Sequence, residues 1–284
     1  MDANERGRLT LQNPFYLDYH RLKTVYGVQI IRTPTLLSFA QLQNFFLSYA
    51  IDHSLGSFFW SHMDVIAISD ELDQHAAIDN GFTTYQSLYL RAVETLRTHT
   101  SPNAEDKRWA AIFFAYDRLT LVNVKSYVDV GGWDTQIPFY GTDCDMHSRL
   151  SMAGWHTKEL YTGLIYDIGH SLPDLGILYR PTVSNKATER GDSGYTDLLS
   201  TLDALQRVKN EQASGRNTWQ GQQRGGHGEP FYRDPRGFED AMRMTHDFGR
   251  SVFAEKWGHR DCDLEAAGLA LDDQWKVTRD WESC

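Results

Sequence analysis

Two short stretches of the chain carry side chains whose types and spacing suit chemistry. In Thr142-Asp143-Cys144-Asp145 two carboxylates stand two residues apart where an amphipathic helical pattern begins. A carboxylate at a helix N-terminus is held by free backbone N–H groups and by the helix dipole. That placement suits it to take a proton from a reacting hydroxyl. The same residues also read as a capping box of Thr142 and Asp145, with Asp145 and Arg149 as an ordinary helical pair contributing about 0.2–0.5 kcal/mol. Both readings can hold together. The second stretch is His62-Met63-Asp64, between the apolar runs Phe58–Trp60 and Val65–Ile68. An acid in so apolar a setting needs a polar or charged partner. One carboxylate with one imidazole suffices for a divalent cation that takes its other ligands from phosphate and water, and suits Mn²⁺ better than Mg²⁺.

These residues must be positioned by regular elements. A β-branched strand is expected over Val28–Arg32, and a helix from Leu36 to His53 with Gly56 as its stop. Ser57–Trp60 and Val65–Ile68 read as buried extended segments, and Thr84–Arg97 as a second amphipathic helix. Ala110–Phe114, Leu119–Val124, Lys158–Tyr161 and Leu164–Ile168 read as strands, and Tyr195–Glu211 and Gly237–Trp257 as helices. Ser214–Pro230, rich in glycine, is expected to be a loop. Strands alternating with helices predict α/β layers around a mixed sheet.

The order Gly131-Gly132-Trp133-Asp134, then Thr142-Asp143-Cys144-Asp145, then Arg149-Leu150 and Gly154 resembles the acceptor-side core of GT-A glycosyltransferases, family 2 especially. There a Gly-Gly-Phe/Trp-Asp loop precedes a Glu-Asp-x-Asp helix start that ends in Arg-Leu-x-x-x-Gly. Thr142 stands here for the first acid. The resemblance continues upstream: Arg32-Thr33-Pro34, the pair Gln43-Asn44, Gly56, and His62-x-Asp64 at the place of the family's Asp-x-Asp. It implies Asp143 as catalytic base, and Arg32, Asn44 and Asp64 on the donor. It places Gly132, Trp133, Asp134 and Asp145 on the acceptor, and gives His62, Asp64 and His170 to a Mn²⁺ or Mg²⁺ ion. Trp133 and Tyr140 read equally well as sugar-stacking rings or as core.

The implied fold is a single GT-A-like, nucleotide-diphospho-sugar transferase domain over 1–180. A helical extension over 181–284, with a flexible loop at 214–230, would pack on it. The implied activity is transfer of a sugar from a nucleotide-sugar donor to a hydroxyl of a glycan, protein or small-molecule acceptor, inverting and metal-assisted. The family's first nucleotide-binding strand has no apolar counterpart among residues 1–27 unless Leu9–Leu11 is its stub. A truncated or non-catalytic scaffold that binds glycans or proteins is therefore the second reading. A metal hydrolase using His62, Asp64 and His170 is a third, and lacks a His-Glu-x-x-His partner motif. The Lys256-Trp257-Gly258 ending resembles fungal relatives of this group.

Composition bounds these expectations. The 284 residues are 41% hydrophobic and 13% aromatic, enough for a substantial core. A formal charge of −10 argues against a nucleic-acid backbone binder, and no apolar run is long enough to span a membrane. Met1–Arg6 is polar and unlike a signal peptide. A secretory or Golgi location is expected if an anchor precedes the chain, and a cytoplasmic one otherwise. Cys144, Cys262 and Cys284 show no metal spacing and no disulfide framework, a Cys262–Cys284 bond being the pairing considered.

Overall fold

The computed structural model describes residues 27–29, 31, 33, 35–62, 64–71, 86–168, 193–211 and 235–282. Leu9–Leu11, Arg32, His170, Cys284 and the loop expected at 214–230 lie outside the described residues.

The chain is α/β, with a mixed sheet flanked by helices. Helix α1 (Phe39–Asp52) starts at Ser38, whose hydroxyl accepts from the Gln41 amide while the Gln41 side chain caps the Ser38 amide. Strands β1 (Ser57–Ser61) and β2 (Val65–Ile68) follow. Helix α2 (Leu88–Thr100) is capped by Ser87, later than the start expected at Thr84. Strands β3 (Trp109–Phe113) and β4 (Leu119–Asn123) form a hairpin. A one-and-a-half-turn helix, α3 (Val124–Asp129), follows where the pattern suggested only the end of a strand; Asn123 caps it. Helix α4 (Thr142–Met152) and strands β5 (His156–Glu159) and β6 (Leu164–Asp167) come next. Helices α5 (Ser193–Glu211) and α6 (Pro235–Trp257) complete the regular elements, with 3₁₀ turns at Leu271–Asp273 and Asp280–Glu282.

The main sheet has the order β1-β4-β3-β5, antiparallel except for the parallel β3–β5 pair. Strand β5 lies two residues earlier than expected at its start, because His156-Thr-Lys-Glu159 is a polar edge strand with no apolar alternation. A second, two-stranded sheet pairs β2 with β6. Strand β3 is buried along its whole length, as befits a strand covered on both faces. One core joins α1, α3 and α4 to the sheet through residues such as Leu47, Val122, Tyr127, Trp133, Met146 and Leu150. Leu96 of α2 packs on a cluster of Trp109, Ile112, Phe114 and Leu121. Leu198 and Leu202 of α5 cover Tyr166 and Ile168, and Phe253 and Trp257 of α6 join Ile137 and Leu264.

Two sequence expectations are corrected at α4. Its N-cap is Gly141, at φ +86°, with no side-chain cap, and the Thr142 hydroxyl is buried without a partner, so the capping box is not formed. Cys144 is bonded to Cys262, not Cys262 to Cys284, which ties the first turn of α4 to the segment after α6. Among the described residues no helix is long and apolar enough to cross a membrane.

Candidate functional site

At the end of the sheet where β1 stops and the β3–β4 hairpin turns, ionisable groups gather from the segment after β1, the hairpin turn, α4, α5 and β6. The hairpin turn is tight: Phe114 N–H donates to the Leu119 carbonyl, and Arg118 N–H to that of Ala115. Tyr116, at its tip, has φ +46°, a left-handed backbone unusual for an aromatic residue. Its hydroxyl donates to Asp143 Oδ2 at 3.3 Å. Asp143 sits in the first turn of α4, beside the free backbone N–H groups of the helix start.

The next residue of the hairpin, Asp117, reaches His62 just beyond β1, with Oδ2 3.5 Å from Nε2. The other ring nitrogen, Nδ1, lies 3.9 Å from Asp64 Oδ1. His62 stacks on Trp60, ring centres 5.2 Å apart. Burial opposes protonation of His62, but Asp117 foremost, then Asp64 and Asp167, outweigh it and raise its pKa. Burial pushes Asp117 the other way, and the hydrogen-bonding and charge influence of His62 more than offsets it, so Asp117 is held below the usual carboxylate range. Asp64 Oδ2 accepts from Lys209 of α5 at 2.8 Å, and the same ammonium binds Asp167 at the end of β6. Arg118 Nε approaches Asp167 at 4.0 Å.

His147 closes the group from within. One turn beyond Asp143 on α4, it lies against Phe113 and Trp133 with ring centres 5.3 and 6.2 Å away. Burial lowers its pKa, partly opposed by the charges of Asp143 and Asp117. The rings of His62 and His147 are linked through the core: His62 lies 6.5 Å from Phe39, Phe39 5.3 Å from Trp133 and Trp133 6.2 Å from His147, ring centre to ring centre.

The expected acceptor residues are differently placed. Asp145 is fully buried and saturated: Arg149 on Oδ2 at 2.8 Å, Lys256 at 2.6 Å and the Trp257 indole N–H at 2.9 Å on Oδ1. Lys256 also binds Asp134 at 2.8 Å. Burial raises the Asp134 pKa, but the lysine more than reverses this and depresses it. Arg149 donates to the carbonyls of Val130 and Gly132, so these charges hold the Gly-Gly-Trp loop between α4 and α6. Trp133 is a core residue. Asn44, expected on the donor, clasps Trp133 instead, its amide donating to the carbonyl and its oxygen accepting from the N–H, both at 2.8 Å. Gly132, at φ +75°, has no room for a Cβ, which would stand 2.9 Å from Asn44 Oδ1.

His62 and Asp64 suit a divalent cation in donor chemistry. The Asp64 Oδ1 edge is not the one holding Lys209, and it faces His62 Nδ1 at 3.9 Å, so an ion between them would take Nδ1 and Oδ1. A cavity of about 350 Å³ opens at the opposite end of the sheet beside Gly56, Trp109 and Asn123, and no carboxylate lines it. Sequence reading missed Tyr116, Asp117, His147 and Lys209. The polar turn Tyr116-Asp117-Arg118 between two apolar strands, and the i,i+4 spacing of Asp143 and His147, were the available signals. Lys209 had none. Comparisons with family models, with curated proteins and with solved structures find no match to this chain.

Proposed function

We propose that the chain is a glycosyltransferase with a GT-A-like arrangement, moving a sugar from a nucleotide-sugar donor to an acceptor hydroxyl with inversion. The observation that supports this most is that one hairpin turn holds both ends of the site, Asp117 meeting the His62–Asp64 pair and its neighbour Tyr116 meeting Asp143. Donor diphosphate lies at the Asp64–His62 end, and the acceptor hydroxyl at Asp143. Asp143 takes the hydroxyl proton as the acceptor oxygen bonds to the anomeric carbon and the bond to the diphosphate oxygen breaks. Tyr116, donating to Oδ2, fixes the carboxylate so that its other oxygen meets the substrate. His62 and Asp64 would hold a Mn²⁺ or Mg²⁺ ion, which when bound supplies Lewis-acid stabilisation to the leaving diphosphate. Lys209 adds positive charge at Asp64, and Arg118 at the neighbouring Asp167.

A thermal-shift screen with nucleotide sugars and Mn²⁺ tests the donor half, since a ligand that binds only the folded state must stabilise it. Asp143→Asn is expected to abolish transfer while keeping the donor-dependent shift. Equal loss of both would remove Asp143 from the chemistry. One observation favours a second reading, a non-catalytic scaffold binding glycans or proteins: the Lys209 ammonium already bridges Asp64 and Asp167. That reading predicts no shift with any nucleotide sugar.

A further inference from the structure

Directly after α6 the chain runs His259-Arg260-Asp261-Cys262-Asp263, and three of these side chains converge. One ligating atom each from His259, Asp261 and Asp263 lies within 4.8 Å of the others. We propose that these three residues form a binding site for one divalent first-row transition-metal ion, remote in sequence from the donor-site pair and independent of the transferase reading. One imidazole with two carboxylates is a mixed nitrogen–oxygen donor set that suits Mn²⁺ or Zn²⁺, water completing the shell.

The surroundings build the site rather than leaving it as loose surface acids. Gly258 ends α6 at φ +61°, and a Cβ there would stand 2.6 Å from the Thr278 carbonyl. Only glycine lets the later segment pass so close, and the Asp280 N–H then donates to the Gly258 carbonyl at 2.9 Å. That approach brings the Asp280 carboxylate onto His259 Nδ1, leaving Nε2 to face Asp263 at 2.7 Å. A carboxylate on the far nitrogen of a ligating histidine fixes the ring and makes the near nitrogen a better ligand. Cys262, between the two acids, is anchored to α4 by its disulfide, which further fixes the segment. Arg260 stacks on Trp281, 4.3 Å from the ring centre, and among the described residues Asp261 has no ion-pair partner. His259 is largely covered, whereas Asp261 and Asp263 are exposed, so an ion has open access. Without metal the Nε2 proton is held by Asp263; a bound ion displaces that proton to solvent and replaces the hydrogen bond with two bonds to the same pair of groups.

The test is Mn²⁺ titration of the full, non-reduced chain without nucleotide, read by loss of the free-ion electron paramagnetic resonance signal. Wild type is expected to take up one ion that His62→Ala/Asp64→Asn retains and Asp261→Asn/Asp263→Asn loses. Asp280→Asn, which keeps all three ligands, should weaken that ion by about 10–100-fold. Circular dichroism and a free-thiol count establish that each variant is folded. Unchanged uptake by a folded Asp261→Asn/Asp263→Asn variant overturns the proposal, as does uptake that disappears entirely with His62→Ala/Asp64→Asn. Should the double variant fail to fold, unchanged affinity in Asp280→Asn overturns it instead.

Discussion

Replacing Asp145 by alanine leaves Arg149 without its carboxylate and removes one of the two acids around Lys256, inside a network with almost no solvent access. Breaking a buried ion network by removing one partner costs about 3–5 kcal/mol. Urea denaturation of Asp145→Ala should show a loss of that size, whereas the neighbouring Asp143→Asn should lose little; similar losses for the two would contradict the contrast in burial. His147 gives the pH counterpart. Burial lowers its pKa from the ordinary 6.5, so below that value the unfolded chain binds the proton more readily than the folded one. The stability it contributes is present above about pH 6.5 and is lost as pH falls through the depressed folded value. His147→Gln should therefore lose less thermal stability than wild type between about pH 7.5 and about pH 5.5. Equal losses would show that packing against Phe113 and Trp133 does not disfavour the charged imidazole. Neither residue's setting was visible in sequence. Asp143 and Asp145 look alike in a four-residue motif, and only Lys256 and Trp257, more than a hundred positions away, separate their roles.

Between helix α1 and the Gly-Gly-Trp loop the polar link is Asn44, bonded to both backbone groups of Trp133 beside the edge-to-face contact of Phe39 with the Trp133 ring. Asn44→Ala would leave that N–H and carbonyl partly buried and unpaired, costing about 1–3 kcal/mol for each unsatisfied group. Gly132→Ala adds a strained left-handed backbone and a 2.9 Å approach to Asn44 Oδ1. The two substitutions should be non-additive, because Asn44→Ala removes the steric part of the Gly132→Ala cost. Full additivity in a double-mutant denaturation cycle would count against the clasp. Elements with local signals were the legible ones: the apolar pattern from Leu36 to His53 marks α1, whose start the Ser38–Gln41 capping box sets at Phe39, and the apolar runs at 57–60 and 65–68 mark β1 and β2. Helix α3 was hidden because Leu119–Val124 reads as one extended apolar run, and the chain turns helical only at Val124. Strand β5 was displaced because an edge strand of polar residues has no periodicity to read.

Across the whole molecule, the Cys144–Cys262 bond joins residues 118 apart in sequence. Cross-links of this kind stabilise by about 2–4 kcal/mol, chiefly through restricting the unfolded chain. Reduction, or Cys262→Ser, should lower the unfolding midpoint by a corresponding amount, and a free-thiol assay on the untreated protein should find the pair oxidised. No change on reduction would mean that the bond carries no stabilising constraint. The pairing was not legible from spacing alone, since three cysteines offered several partners and the fold chose the one that brings α6 onto α4. The bond also sets an order of assembly. During synthesis the first turn of α4, with Asp143 beside the cysteine, leaves the ribosome well before its cross-link partner is made. A nascent chain stalled short of Cys262 therefore presents the motif without its lock, and the oxidant must act after translation has passed that point.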